Sequence, residues 1–304
     1  MKKQAFNCDS LRNIFPNLAR MKPPYPDVHT YYNSTRFDYR AIWNRRRRDV
    51  AVHFGYYDER ARRHAEALDN LNFVLADLAQ IQPGERVLDA GCGLGNACFW
   101  LAEHRRAQAT GLNIVASQIA DCQRNAVHRP PSTVHRPEFI QGDFCKMPFS
   151  ENTFDVVWAC ESVCHAAEKP AFYKEAFRVL KPGGRLVMAE YMRVARPVSP
   201  EGERLLAAWL RPWAIPDIET PDEHRVYALA AGFEKIDIRD VTPQMRVSLR
   251  NLHEVSTRWL PFGKFLNLFG LVNDVRLGNA RASVRQYEAL QAGAWQYSLL
   301  LARK

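Results

Sequence analysis

Two hydrophobic periods take turns along this chain. Short, nearly continuous apolar runs that suit strands alternate with stretches of helical period, the order expected of an α/β domain built on a mostly parallel sheet. Glu85 to Leu88, Gln108 to Leu112, Phe139 to Gly142 and Phe154 to Ala159 are read as the first four strands. The fourth is apolar almost throughout, as a parallel strand covered on both faces must be. Helices are expected at Asn96 to Arg106 and at Lys169 to Leu180, the latter leading through Lys181-Pro182-Gly183-Gly184 into a fifth strand, Arg185 to Glu190. Two short helices, Glu203 to Trp213 and Glu219 to Ala231, precede a sixth strand at Glu234 to Val241. A seventh, Trp295 to Ala302, alternates so that Trp295, Tyr297, Leu299 and Leu301 share one face.

The sequence outside these strands divides the chain. Residues 1–80 read as a helical cap: a Pro-rich segment from Met21 to Asp27, then helices at Tyr31 to Arg48 and Ala61 to Leu78. Residues 81–242 form the core, 243–293 a second helical insert that serves as a substrate lid, and 294–304 the last strand. Within the insert the run WLPFGKFLNLFGLV, residues 259–272, is conspicuously apolar. Pro261, Gly263, Lys264 and Gly270 argue against one continuous interfacial helix there, so a lid over a greasy substrate, or plain core, is expected. The chain has no internal repeat and no low-complexity tract.

Chemistry enters at Val87 to Asn96, VLDAGCGLGN, where a buried strand carrying Asp89 runs into Gly91, Gly93 and Gly95. Glycines so spaced let the backbone turn sharply and approach a ligand, although the loop alone also suits a tight strand-to-helix turn. The spacing is GxGxG, not the GxGxxG of dinucleotide sites, and no Gly-Lys-Ser or Gly-Lys-Thr follows to make a P-loop. The segment resembles the first motif of class I S-adenosylmethionine methyltransferases, and RVLKPGGRLVMAE resembles a second motif of the same family. The resemblance implies a Rossmann-like seven-stranded sheet with a helical N-terminal cap and a helical insert between strands six and seven. It also implies S-adenosyl-L-methionine as cofactor, held by Asp89 and by the backbone at Gly91 and Gly93, with loop amides on its carboxylate. Asn113, with Gln118 after it, falls where the ribose is bound, in the Gly-hydrophobic-Asn form of sterol-type enzymes in place of the commoner acid. Asp143 and Phe144 fall where an acid and the next amide hold the adenine.

Composition alters this picture little. The 304 residues, 47% of them hydrophobic, bury a sizeable core and exceed the minimal version of such a fold, so the extra length is substrate machinery. No run of 18 uncharged apolar residues occurs and no apolar segment follows the two early lysines, so a cytoplasmic protein without stable membrane insertion is expected. The seven cysteines are odd in number and scattered, which reads as reduced thiols. Cys160, Cys164 and His165 lie close together, but no further ligand pattern completes a metal site, and none is expected. The formal net charge of +9 admits nucleic acid, an anionic membrane surface or an anionic small substrate.

A narrower resemblance separates these. WACESVCHAAEKPAFYKEAFRVLKPGG, residues 158–184, is similar to the matching segment of sterol side-chain methyltransferases, and its Glu-Ser pair resembles prenyl diphosphate C-methyltransferases. The later part, with an acidic helix, Leu205-Leu206, Ile215-Pro216-Asp217 and a strand ending Asp240-Val241-Thr242, is similar to tocopherol methyltransferases and to bacterial enzymes that C-methylate prenylated indole alkaloids. Tyr31-Tyr32 and Phe54-Gly55-Tyr56-Tyr57 match the aromatic cap of these families. Most of these relatives methylate an isoprenoid at carbon. An alkene is a weak nucleophile, so such a site must align it, exclude water and tolerate the resulting carbocation. Tyr31, Tyr32, Phe54, Tyr56, Tyr57 and Trp158 are the candidates for cation-π stabilisation, Tyr31 and Tyr56 as catalytic aromatics and Tyr32, Phe54 and Tyr57 as substrate contacts. Glu161 at the end of strand four is the candidate base, and His165, one helical turn on, a candidate proton relay.

A prenyl diphosphate, farnesyl or geranyl, is the expected acceptor, because Arg193, Arg246 and Arg250, and also Arg45 to Arg48 and Arg196, offer donors for its anion, with Mg2+ as a possible aid. The alternatives are a sterol, or a phenolic acceptor of tocopherol type. RNA is not expected, since neither a Pro-Cys nor an Asn/Asp-Pro-Pro-aromatic motif follows strand four. A homo-oligomer is compatible with this reading.

Overall fold

A computed structural model describes residues 26–44, 50–129 and 135–304. The expected run Arg45 to Arg48, Cys8 and most of the Pro-rich segment lie outside them. Seven strands form one sheet: β1 (Arg86–Ala90), β2 (Gln108–Asn113), β3 (Glu138–Gln141), β4 (Phe154–Cys160), β5 (Leu180–Arg193), β6 (Glu234–Asp240) and β7 (Trp295–Arg303). Their spatial order is β3-β2-β1-β4-β5-β7-β6. The first five run parallel, and β7 pairs antiparallel with both β5 and β6.

Nine helices complete the described residues: α1 (Val28–Phe37), α2 (His64–Leu78), α3 (Asn96–Arg105), α4 (Ala116–Val127), α5 (Lys169–Val179), α6 (Pro200–Leu210), α7 (Pro221–Ala231), α8 (Thr242–Leu268) and α9 (Asp274–Gln291). A π-helical turn, Asp38–Trp43, prolongs α1, so the helix expected from Tyr31 starts earlier and ends in a widened turn.

Period two along the strands sorts their side chains onto two faces. Val87, Val156, Trp158, Val187, Tyr191 and Tyr297 fall in the core on one side, whereas Leu88, Val157, Leu186, Met188 and Leu300 fall in the core on the other. The alternation read in the last strand holds: Trp295, Tyr297, Leu299 and Leu301 all join the first core. Because the strands are parallel, β1, β2, β3 and β4 end along one edge, and functional loops gather there.

Helix α8 departs from its expectation. It runs unbroken for 27 residues through Pro261. Proline has no N–H for the carbonyl four residues back, that of Thr257, but Thr257 is exposed and water can serve instead. Gly263, buried among exposed neighbours, seats the indole of Trp259: a Cβ there would lie 2.3 Å from that ring. Nor is the apolar run core. Phe262, Phe265, Leu268, Phe269 and Leu271 are all exposed.

Candidate active site

Gly91 fixes how closely the loop after β1 meets the loop after β4. Its φ is +95°, and a Cβ there would lie 2.4 Å from Cβ of Ser162. Ser162 Oγ donates to the Ala90 carbonyl at 2.6 Å, locking the two strand ends together. Beside this junction the first turn of α3 has only Gly95 as N-cap, with no capping side chain on its amides. Those amides, at the positive end of a helix, are the arrangement that binds an anionic group.

They open on a cavity of about 320 Å³ lined by Asp89, Gly91, Gly93, Asn113, Gln118, Asp143 and Phe144, which brings together every residue assigned to the cofactor from the sequence. Asn113 Nδ2 donates to Gln118 Oε1 at 2.7 Å, so the two amides act as a pair. Asp143 Oδ1 accepts from the Cys145 amide at 2.7 Å. Asp89 is buried, among the described residues only the Cys98 thiol donates to it, at 3.5 Å, and burial pushes its carboxyl up to about 7. A cationic ligand would return that carboxyl to its charged form. Uncapped helix amides, the Asn113–Gln118 amide pair and a buried carboxyl without a cationic partner among the described residues are compatible with S-adenosylmethionine, which carries a carboxylate, a ribose, an adenine and a sulfonium.

A second cavity, about 430 Å³, lies against the first, and Val52, His53 and Glu161 line both. Trp43, Phe54, Tyr191 and Trp213 give its wall aromatic faces, and Asp38, Asn251, Glu254, Arg258, Arg276 and Asn279 give it polar ones. Glu161 is therefore the carboxyl at the boundary between the two spaces.

That residue is held with unusual care. Glu161 follows the last residue of β4 with φ +49°, in the left-handed region that costs a non-glycine residue energy. Its Oε1 accepts from the Phe54 amide and from Tyr297 Oη, each at 2.7 Å, and its Oε2 accepts from Tyr191 Oη. Burial nevertheless dominates and pushes the carboxyl up to about 8, against the pull of those donors.

His165 is placed differently from its expectation. Glu161 is not on a helical face with it, since the turn at Val163–His165 is a short 3₁₀ segment entered after the left-handed residue. The Ala214 carbonyl only accepts, so His165 Nδ1–H donates to it at 3.1 Å and Nε2 accepts from Tyr32 Oη at 2.9 Å. Both nitrogens are thus engaged, and burial lowers the imidazole to about 4. A direct relay from Glu161 to His165 has no free nitrogen to receive the proton.

The aromatic candidates divide. Tyr32 lines the smaller cavity and Phe54 the larger. Tyr31 is buried behind the wall, where it donates to Asn279 Oδ1 and accepts from Tyr39, each at 3.0 Å. Tyr56 and Tyr57 bond through their backbone to Ala67 and Gln244 and line neither cavity, and Trp158 is fully enclosed in the core. Among the arginines, Arg193 is buried and ion-paired with Glu203 and Asp217, and Arg196 with Asp217 and Glu223. Arg246 and Arg250 are exposed and away from both cavities. The cavity arginines are Arg258 and Arg276, each paired with a carboxylate that also lines the cavity, Arg258 with Glu254 at 3.6 Å and Arg276 with Asp38 at 2.6 Å. Sequence periodicity carried no signal for these, because the cavity is closed by segments distant along the chain. Tyr191 and Tyr297 went unassigned for the same reason.

Among the described residues no three His, Cys, Asp or Glu side chains converge as a metal site. No helix among them is long and apolar enough to cross a membrane.

Comparisons with known proteins agree with this geometry. Residues 88–188 match the family model described as a methyltransferase domain. The chain is 32% identical over 225 residues to 24-methylenesterol C-methyltransferase 3 of Arabidopsis thaliana, covering 71% of this chain and 59% of that protein. It thus spans about six tenths of the length of that curated relative. Among solved structures, the [4+2]-cyclase SpnF is similar at a TM-score of 0.72 and 26% identity, covering 92% of this chain and 98% of that one. The mycolic acid cyclopropane synthase CmaA1 shares the fold at a TM-score of 0.78 and 16% identity, covering 93% and 99%. The chain carries a methyltransferase domain, set in the class I methyltransferase fold and similar in sequence to the sterol C-methyltransferases.

Proposed function

We propose that this protein methylates an alkene carbon of an isoprenoid, using S-adenosylmethionine, and that Glu161 removes the proton that restores an alkene. The observation that carries the reading is that one buried carboxyl lines both cavities. When bound, the cofactor supplies an electrophilic methyl group on a sulfonium. Asp89, Asn113, Gln118, Asp143, Phe144 and the amides opening α3 would bind and orient it. Phe54, Tyr191, Trp43 and Trp213 would enclose the acceptor's double bond, keep water out and face the carbocation with π electrons. Glu161, ionised, would take a proton from a carbon next to the cationic one, and the C–H electrons would form the new double bond.

The acceptor's head would meet the polar side of the larger cavity. Arg258 and Arg276 there, with the +9 charge, support a prenyl diphosphate as the acceptor, whose phosphates would take those guanidiniums from their present partners, Glu254 and Asp38. A second reading, a sterol-like acceptor, is supported by the sterol C-methyltransferase relatives, and its hydroxyl would use Asn251 and Asn279.

The test is transfer of label from methyl-labelled S-adenosylmethionine to geranyl diphosphate, farnesyl diphosphate, a sterol and a tocopherol precursor, with products identified by mass spectrometry. Label in an isoprenoid chain, lost by about 10²-fold or more in Glu161→Gln with cofactor affinity retained, is the expected result. Label only in the phenolic ring, or an unchanged rate in Glu161→Gln, overturns it.

A further inference from the structure

We propose that the end of helix α8 and the turn after it dock reversibly on an anionic lipid surface at the mouth of the larger cavity. Five large apolar side chains stand exposed within ten residues of sequence: Phe262, Phe265, Leu268, Phe269 and Leu271, at 55–81% exposure. Monomer surfaces rarely gather so much contiguous apolar area without a partner.

Three observations choose lipid as that partner. First, charge: from Trp259 to Asn273, the stretch that holds the five exposed side chains, the chain carries Lys264 as a cation and no carboxylate, while Arg258 just before it is paired with Glu254 at 3.6 Å. Anionic headgroups are complementary to such a segment, and aromatic rings beside cations suit the headgroup boundary. Second, shape: α8 and α9 pack as a pair joined by a short turn, and nothing lies within 4 Å of where a Cβ on Gly270 would sit. A projecting turn sinks into a soft interface more completely than it fits a rigid protein face. Third, continuity: Arg258 and Trp259 line the larger cavity, and Phe262 and Phe265 follow Arg258 along one helix face at spacings of four and three residues. Phe37, also exposed, lies under the guanidinium of Arg276, another cavity residue, at 5.2 Å. The apolar patch thus borders the cavity's outer rim. A lipid surface held there would let an apolar molecule pass into the cavity without crossing water.

The full chain is sedimented with vesicles of phosphatidylcholine alone and of phosphatidylcholine with an equal part of phosphatidylglycerol. Binding to the mixed vesicles is expected, weakened about tenfold or more when Phe265→Ser and Phe269→Ser are combined. Lys264→Glu is expected to weaken binding to mixed vesicles only. Both phenylalanines are exposed, so an unchanged melting temperature and cofactor affinity report an intact fold. Absence of the wild-type chain from both pellets, or equal binding by the double variant, overturns the proposal. So does a dimer in sedimentation velocity that the same double variant dissolves, which would assign the face to a second copy of the chain. None of these readouts depends on the acceptor, so they are independent of the outcome of the labelling test.

Discussion

Tyr191 and Tyr297 stand opposite one another in the β5–β7 ladder and grip the same carboxyl, each donating its hydroxyl to one oxygen of Glu161. Their rings meet edge to face with centroids 5.7 Å apart, so neither can swing away without disturbing the other. Two strands that are antiparallel neighbours thereby aim a residue delivered by a third, β4. The consequence is a carboxyl fixed in place and pushed up to about 8 by burial, the placement and acidity that the proposed base needs.

Removing one of these donors has a readable effect on acidity. Tyr297→Phe leaves the ring but withdraws a hydrogen bond that favours the ionised carboxyl, worth about 1.5–3 kcal/mol for a charged acceptor, or about one to two pH units. Turnover that needs ionised Glu161 rises with pH through its value of about 8. In Tyr297→Phe the rising limb of kcat/KM against pH is expected to move to higher pH, with cofactor affinity unchanged. An unshifted limb would remove Glu161 from the titration that limits turnover.

The same buried acids set the pH dependence of stability. Asp89 and Glu190 are pushed up to about 7 and Glu161 to about 8 by burial, all above the ordinary carboxylate range of the unfolded chain. Between that range and those values the folded protein holds protons that the unfolded chain has released, so stability falls as pH rises. His165, lowered to about 4, and His224, lowered to about 3, work the other way, but only below the ordinary histidine value near 6.5. Above pH 6.5 the acids lead, joined towards pH 8.5 by the thiols of Cys98, Cys160 and Cys164, which burial raises and which lower stability with rising pH in the same sense. The melting temperature of the cofactor-free protein is expected to decline across that window, less steeply in Glu161→Gln. Scanning calorimetry in matched buffers reads both slopes.

Much of this arrangement was legible in the sequence, and what was not has a physical reason. Strand ends and the glycine loop could be placed because apolar runs and turn residues are local signals, and they put Asp89, Asn113, Gln118, Asp143 and Glu161 at one edge. Period two also put Tyr297 on the right face. It could not say that Tyr191 faces the same carboxyl, since the fifth strand runs three residues beyond its expected end, to Arg193. Arg193 looked free because Glu203 and Asp217, which neutralise it, are ten and 24 residues away. Pro261 and Gly263 read as breakers, whereas in the structure the carbonyl freed by Pro261 belongs to an exposed residue and Gly263 gives the Trp259 ring the space a Cβ would need, neither of which is a local signal.

That last contact makes its own prediction. Gly263→Ala would place a Cβ within 2.3 Å of the Trp259 ring, which lines the larger cavity. Alanine is the better helix former by about 1 kcal/mol, so on propensity alone the variant should gain stability. The clash is expected to win and to displace the indole, shifting tryptophan fluorescence and raising KM for the acceptor, while cofactor affinity holds. A stabilised variant with unchanged KM would mean the indole has room to yield at no cost.

Arg258 and Arg246 offer a comparison within one helix. Both are exposed cations on α8, but Arg258 lines the larger cavity and Arg246 lines neither cavity. Net charge falls equally in Arg258→Gln and Arg246→Gln, so any general loss of attraction for an anion is matched between them. Only the first removes a guanidinium that lines the cavity, now 3.6 Å from Glu254 and able to turn to a diphosphate, an interaction of charged partners worth about 1.5–3 kcal/mol. KM for a prenyl diphosphate is therefore expected to rise about tenfold to a hundredfold in Arg258→Gln and to stay nearly unchanged in Arg246→Gln. KM for a neutral sterol should move in neither. Equal, small rises in both variants would leave the charge of the whole surface, and no fork within the cavity, as the source of any preference for an anionic acceptor.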